Sequence, residues 1–279
     1  MLVIFLTVLL IFTFGYTKDL LMASSYPIYY PLKYLAGDRF EVDVLIKSQA
    51  DPHHYELKPD DVRRLQRARA FLYLGLEGWE RKVANKMGKG RAYSLAQNLT
   101  LIRAGKHYDP HVWLSPKAYM GVVENIQKVL SQLDPAGSEQ YKRRASEYME
   151  RLRALDKEYR EVLSTCKTRT LVITHLSTAY LGRDYGLETV GLRGVHAEEE
   201  PRPSEVRRMV ERARKAKAGV VFAELGQDER LARRVAQEVG ARVLTFNSSL
   251  FPEERNDDYF SIMRRNLERL SEGLECQRK

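Results

Sequence analysis

Histidine is scarce in this chain, six residues in 279, yet two of the six stand together in DPHHYELKPDD, Asp51 to Asp61. A second DPH unit follows at Asp109 to His111, in YDPHVWLSP, and a further histidine, His175, closes the apolar run LVIT. Neutral imidazole is the commonest transition-metal ligand, and three imidazoles with one oxygen make a tetrahedral site that suits zinc. The local sequence fits that task. Asp before Pro accepts backbone N–H bonds in a turn and Pro fixes φ, so each DPH unit presents an imidazole from a preset loop. In the first unit either His53 or His54 can be the presented ring. His107 and His196 read as loop residues, and Glu198 to Glu200 as a solvated acidic run in which Glu200 is a candidate brace.

These residues stand at the ends of short apolar runs. From Asp19 to about Leu133, strand-like stretches alternate with amphipathic ones: LLMAS then PIYYPLKYLAG, FEVDVLI then DDVRRLQRA, AFLYLG then EGWERKVANK. The rhythm resumes at Arg169 with TLVIT, GVVFAE and RVLTFN, helical patterns between them, and a closing helix from Asp258 to Leu274. Strands alternating with helices at this spacing predict parallel sheets covered by helices. In such sheets ligands bind beyond the carboxyl ends of the strands. That rim collects the histidine pair after EVDVLI, His175 after LVIT, Glu224 closing VVFAE and Asn247 after RVLTF. His111 lies in the loop leading into SPKAYMGVVENIQKVL.

Between the halves, Asp134 is a good N-cap, Pro135 suits the first helical position, and the chain then runs to about Ser164 with no breaker beyond Gly137. Tyr141, Ala145, Tyr148, Leu152, Leu155, Tyr159 and Val162 recur at helical spacing, one continuous apolar stripe. At 1.5 Å per residue such a helix is about 40 Å long. The predicted fold is α/β: two parallel-sheet lobes, 18–133 and 166–279, joined by one long rigid helix, 134–165.

The apolar run Leu2 to Tyr16 is shorter than the roughly 20 residues that span a bilayer. It reads as a secretory signal over residues 1–17, with an uncleaved anchor as the alternative. Cys166 and Cys276 share no metal-type spacing; in an exported protein a disulfide is expected, with two free thiols as the alternative. Closing so long a loop stabilises by about 4–5 kcal/mol in the chain-entropy model. The net charge of +9 comes from 46 basic residues dispersed among 37 acidic ones, as in RLRALDKEYREVL. That is a solvated helix face and argues against a nucleic-acid partner.

Taken in order, DPHHYELKPDD, DPHVWLSP, VITHLSTAYLGRDYGL, EEEPRPSEV, FAELGQDERLARRVAQEVGARVLTF and DYFSIMRRNLERL resemble the metal-binding proteins of zinc and manganese ABC importers. The resemblance covers nearly the whole chain after the leader. It implies a fold of two lobes on one long helix, a function of periplasmic capture and delivery to a membrane permease, action as a monomer, and no enzyme activity. Carried onto this sequence, the ligands are His53, His111 and His175. Manganese members tend to place a carboxylate where His175 stands, so Zn(II) is the expected cargo and Mn(II) the alternative.

Three departures from the pattern bear on the site. Asn247 stands where many members carry an aspartate as fourth ligand, so that role falls to Asn247, Glu224 or water. Glu224 is equally suited to orient a ligand imidazole. The long His-rich loop of many zinc members is missing between Ile102 and His111, and no cysteine follows the apolar leader, which implies a protein without a lipid anchor. Two other classes compete. A zinc hydrolase would use the three histidines with an open position beside Glu224, though no HExxH-type pair is present. An extracytoplasmic adhesion module is the other.

Overall fold

The computed structural model describes residues 18–47, 53, 55–194 and 201–277. The apolar leader, His54, His196 and Glu198 to Glu200 lie outside these residues. Four parallel strands build the first lobe: β1 (Leu20–Ala23), β2 (Glu41–Val44), β3 (Ala70–Tyr73) and β4 (Ala92–Ser94), in the order β2-β1-β3-β4. Their crossovers are α1 (Tyr26–Ala36), α2 (Pro59–Arg67) and α3 (Gly78–Met87). Gly37 ends α1 at φ 56°, a positive φ that glycine adopts without a Cβ penalty. A small antiparallel hairpin, β5 (Arg103–Ala104) with β6 (His107–Tyr108), leads into the second DPH unit. The 3-10 turn Val112–Leu114 and α4 (Pro116–Leu133) follow. Ser115 caps α4, its hydroxyl accepting from Ala118 N–H, with Pro116 opening the helix.

The second lobe is again parallel: β7 (Thr170–His175), β8 (Glu188–Arg193), β9 (Val220–Glu224) and β10 (Arg242–Phe246), ordered β10-β9-β7-β8. Its helices are α6 (Ala179–Tyr185), α7 (Pro203–Lys215), α8 (Arg230–Val239) and α9 (Tyr259–Gly273). Linking the lobes is α5 (Ser138–Ser164), 27 residues long. It starts later than the Asp134 signal predicts, because 135–137 form a 3-10 turn first. The Asp134 carboxylate is held by Arg39 and by Tyr141 Oη at 2.6 Å instead of capping helix N–H groups.

Each sheet has two covered faces. The outer faces pack Leu65 of α2 and Val83 of α3 on Met22 and Phe71, and Met209 of α7 and Val235 of α8 on Val172 and Val221. The inner faces share one continuous core through α5, whose Tyr141, Tyr148, Leu152, Leu155 and Tyr159 are all buried within it. Burying that stripe along the helix fixes it to both lobes, since every withdrawn methylene would cost about 0.8 kcal/mol. Cys166, just past α5, forms a disulfide with Cys276, just past α9. Among the described residues no helix is long and apolar enough to cross a membrane.

Candidate metal centre

Three imidazoles converge at the carboxyl rim of the sheets, one from each of three loops or strand ends. His53 comes from the segment between β2 and α2, His111 from the loop after β6, and His175 from the last position of β7. Their ring centroids are 4.9–5.0 Å apart in all three pairings, a nearly equilateral triangle. Their donor atoms all lie within 4.8 Å of one another.

Each ring is turned by a carboxylate. His53 Nδ1 lies 2.8 Å from Glu77 Oε1, His111 Nδ1 2.7 Å from Asp109 Oδ1, and His175 Nδ1 2.9 Å from Glu224 Oε2. A carboxylate on Nδ1 holds the proton there and leaves Nε2 as the lone-pair donor, the arrangement that orients metal-binding histidine. His53 Nε2 and His111 Nε2 are 3.2 Å apart. Two nitrogens bound at 2.0–2.1 Å to a tetrahedral zinc would be separated by about 3.3–3.4 Å. The cavity between the rings has a volume of about 20 Å³, also lined by Trp113, Glu224, Leu225, Gln227, Ser248 and Ser249. Among the described residues it offers room for one ion or one water.

Electrostatics favour a cation there. Burial, reinforced by the neighbouring His175 and His53, holds the His111 pKa below the usual histidine value against the opposing pull of Asp109. His111 therefore keeps its lone pair at neutral pH. Burial would raise the Glu224 carboxyl, but His175 and a hydrogen bond from Ser248 outweigh it and bring the pKa down to about 2. Glu224 Oε1 and Asp109 Oδ2 are buried without hydrogen-bond partners among the described residues. Orphaned buried carboxylate oxygens are expensive unless a positive charge answers them.

The second DPH unit is anchored at both ends of its turn. Asp109 Oδ1 accepts from His111 N–H at 2.9 Å, as an aspartate before proline is expected to do. Tyr180 of α6 donates to Asp109 C=O at 2.8 Å, and Tyr259 of α9 donates to Trp113 C=O at 2.9 Å. Trp113 Nε1–H donates to Ser248 C=O at 2.7 Å, and Ser115 Oγ–H to Asp184 at 2.6 Å.

Asn247 is placed differently from the other candidates. It does not line the cavity. Its backbone exchanges hydrogen bonds with the Asn266 amide, and its Nδ2 donates to Phe251 C=O and Glu253 Oε1. Those bonds tie the loop after β10 to α9. Glu77 was missed by sequence reasoning, although it follows β3 at the same rim and a survey of every strand end would have included it. The bond from Asp109 to its own imidazole was missed too; only the backbone contact is implied by the DPH spelling.

Comparison with known proteins extends this picture. The zinc-binding lipoprotein AdcA of Streptococcus pneumoniae is 30% identical over 275 residues, covering 90% of this chain and 55% of that protein. The chain thus spans about half the length of the streptococcal relatives it matches. The high-affinity zinc uptake system protein ZnuA of Bacillus subtilis is 29% identical, covering 91% of this chain and 86% of its own. The crystal structure of Lmb from Streptococcus agalactiae, described as a bifunctional protein with adhesin and metal transporting activity, superimposes with a TM-score of 0.85. It is 29% identical and covers 92% of this chain and all of that one. Because AdcA is named a lipoprotein, the expectation of an unanchored protein does not follow from the resemblance. The family model for ZnuA, the periplasmic component A of the zinc-uptake complex, matches residues 21–273, and the chain belongs to that family.

Proposed function

We propose that this chain captures Zn(II) between its two lobes, outside the cytoplasm, and delivers it to the membrane permease of an ABC importer. The observation that carries the reading is the set of three carboxylate-backed imidazoles around a space for one ion. His53, His111 and His175 are the protein ligands. Glu224 Oε1 or a water completes the tetrahedron, and Asn247 serves the loop instead. The units that act are a first lobe over 18–133, a helix over 134–165 and a second lobe over 166–279. All three imidazoles and their carboxylates belong to one chain, so a monomer suffices.

Three neutral nitrogen donors favour zinc over manganese, which prefers carboxylate and water oxygens. The names of the AdcA and ZnuA relatives agree with that choice. A hydrolase would need room for a substrate beside the metal, and among the described residues the cavity offers room for one ion or one water. An adhesive role forms no part of this reading. The test is metal-stripped protein titrated with zinc and manganese against a chelator. One zinc per chain, held much more tightly than manganese, is expected; a preference for manganese, or no saturable zinc binding, overturns the proposal.

A further inference from the structure

Away from the metal centre, a groove of about 460 Å³ lies between α1, α5 and the loop 252–258. That volume falls in the range of small-molecule sites. Tyr26, Tyr29, Tyr30 and Tyr34 line it from one face of α1, at i, i+3, i+4 and i+8, and Tyr148 lines it from α5. So dense a set of tyrosines presents flat, polarisable walls on which a planar ring stacks.

The polar groups of the groove are not equally committed. Tyr29 Oη accepts from Lys33, Tyr30 Oη donates to Leu250 C=O, and Tyr34 Oη donates to Glu147. Tyr148 differs: it is 2% exposed and its hydroxyl has no hydrogen-bond partner. Burial raises its pKa well above the usual tyrosine value, so the hydroxyl remains a donor. A buried donor left unmatched in a cavity wall calls for a ligand acceptor.

Charge selects the kind of ligand. Asp257 is ion-paired with Arg265 and accepts from Glu253 and Glu254 N–H, and Asp258 is paired with Arg151 while capping α9. Arg151 itself lies over the Phe260 ring at 3.8 Å. Lys33 has no ion-pair partner, and exposed Arg255 makes neither a hydrogen bond nor an ion pair among the described residues. The acids are neutralised and two cations are not.

We propose that this groove binds a small organic anion with a planar ring: the ring stacked among the tyrosines, its carboxylate answered by Lys33 and Arg255, and an acceptor on its inner edge taken by Tyr148. The inference is independent of the metal reading, because no groove residue is one of the three histidines or their carboxylates.

The experiment compares three probes of one shape, 6-hydroxy-2-naphthoate, its neutral amide and its cationic amidine, by saturation-transfer NMR and calorimetry on the full chain. The naphthoate should saturate and bind at least about tenfold more tightly than the amidine, the scale of one charge-assisted hydrogen bond. The double variant Lys33→Ala, Arg255→Ala should lose most of that preference. Tyr148→Phe should bring the hydroxynaphthoate down to the affinity of plain 2-naphthoate, titrated alongside as a fourth probe. Zinc titration of the same variants, expected unchanged, shows that they fold. The proposal is overturned if no probe saturates, if the amidine binds as well as the naphthoate, or if folded variants bind all three probes as the parent does.

Discussion

His53 and His111 rise from the same three-residue unit, yet they are mounted differently. His111 draws its orienting carboxylate from its own unit, at Asp109; Tyr180 bonds that unit, and Trp113 and Ser115 just after it bond Ser248, Tyr259 and Asp184, all in the second half of the chain. His53 draws its carboxylate from Glu77, at the start of α3 within the first lobe. Chain order and mechanical attachment therefore part company. His111 is held from both sides, by hydrogen bonds to the second half of the chain and by α4, which follows it and packs on α1 and α5; His53 is braced by the first lobe and His175 by the second. A change in lobe placement would act most directly on the distance between His53 and His175, with His111 bridging the two.

The largest effects should come from removing the rings themselves. His111→Ala and His53→Ala should each weaken zinc by several kcal/mol, about a thousandfold or more in Kd, measured by chelator competition. The difference in mounting should appear in the metal-free proteins. Asp109 is fully buried, and without His111 its carboxylate loses a partner it cannot replace with water, a cost of about 3 kcal/mol. Glu77 keeps 13% of its side chain exposed against 1% for Asp109 and is more readily hydrated, so His53→Ala should cost less folding stability than His111→Ala. Equal denaturation midpoints for the two apo variants would show that the mounts do not differ.

Next in size are the carboxylates and the proton. Glu77→Gln and Asp109→Asn should each weaken zinc by about 10–100-fold. Acid competes at the same nitrogens. The His111 pKa is lowered in the folded chain, so the unfolded chain binds the proton more readily, and apo stability falls as pH drops through about 6.5. Zinc affinity is insensitive to His111 protonation until the pH falls below that lowered value. A Kd that rose steeply between pH 8 and 7 would contradict a His111 held neutral by burial.

The sequence revealed the site better than its supports. Central strands β1, β3, β7 and β9 are continuous apolar runs because both faces are covered, and they were legible from composition alone. Strands β4 and β8 were missed; each lies at a sheet edge, and they read as AYS and ETVGLR, too short or too polar to stand out. The imidazoles were legible because histidine is rare and the DPH unit repeats. Glu77 was not, since one glutamate among many carries no local signal, and its partner is 24 residues away. Nothing in the DPH spelling indicates which lobe holds the unit, because Tyr180 and Tyr259 reach it only after the fold has formed.

The smallest predicted effect tests that last point directly. Tyr180 Oη both donates to Asp109 C=O and accepts from Ile102 N–H, joining the strand of chain before the DPH unit to the unit itself. Tyr180→Phe keeps the ring and removes both bonds, leaving two buried or half-buried backbone groups unmatched, at about 1–3 kcal/mol of folding stability. All three imidazoles and their carboxylates remain, so the zinc affinity should fall only a few-fold, as expected when a ligand is held less firmly and must be ordered by the ion. The informative quantity is the pairing of the two losses. If His111 is positioned by the second lobe, Tyr180→Phe weakens zinc binding while the same hydroxyl deletion at Tyr159, whose buried bond to Met263 C=O ties α5 to α9 away from the ligand loops, leaves it unchanged. Equal zinc affinities for the two variants would place His111 with the first lobe after all.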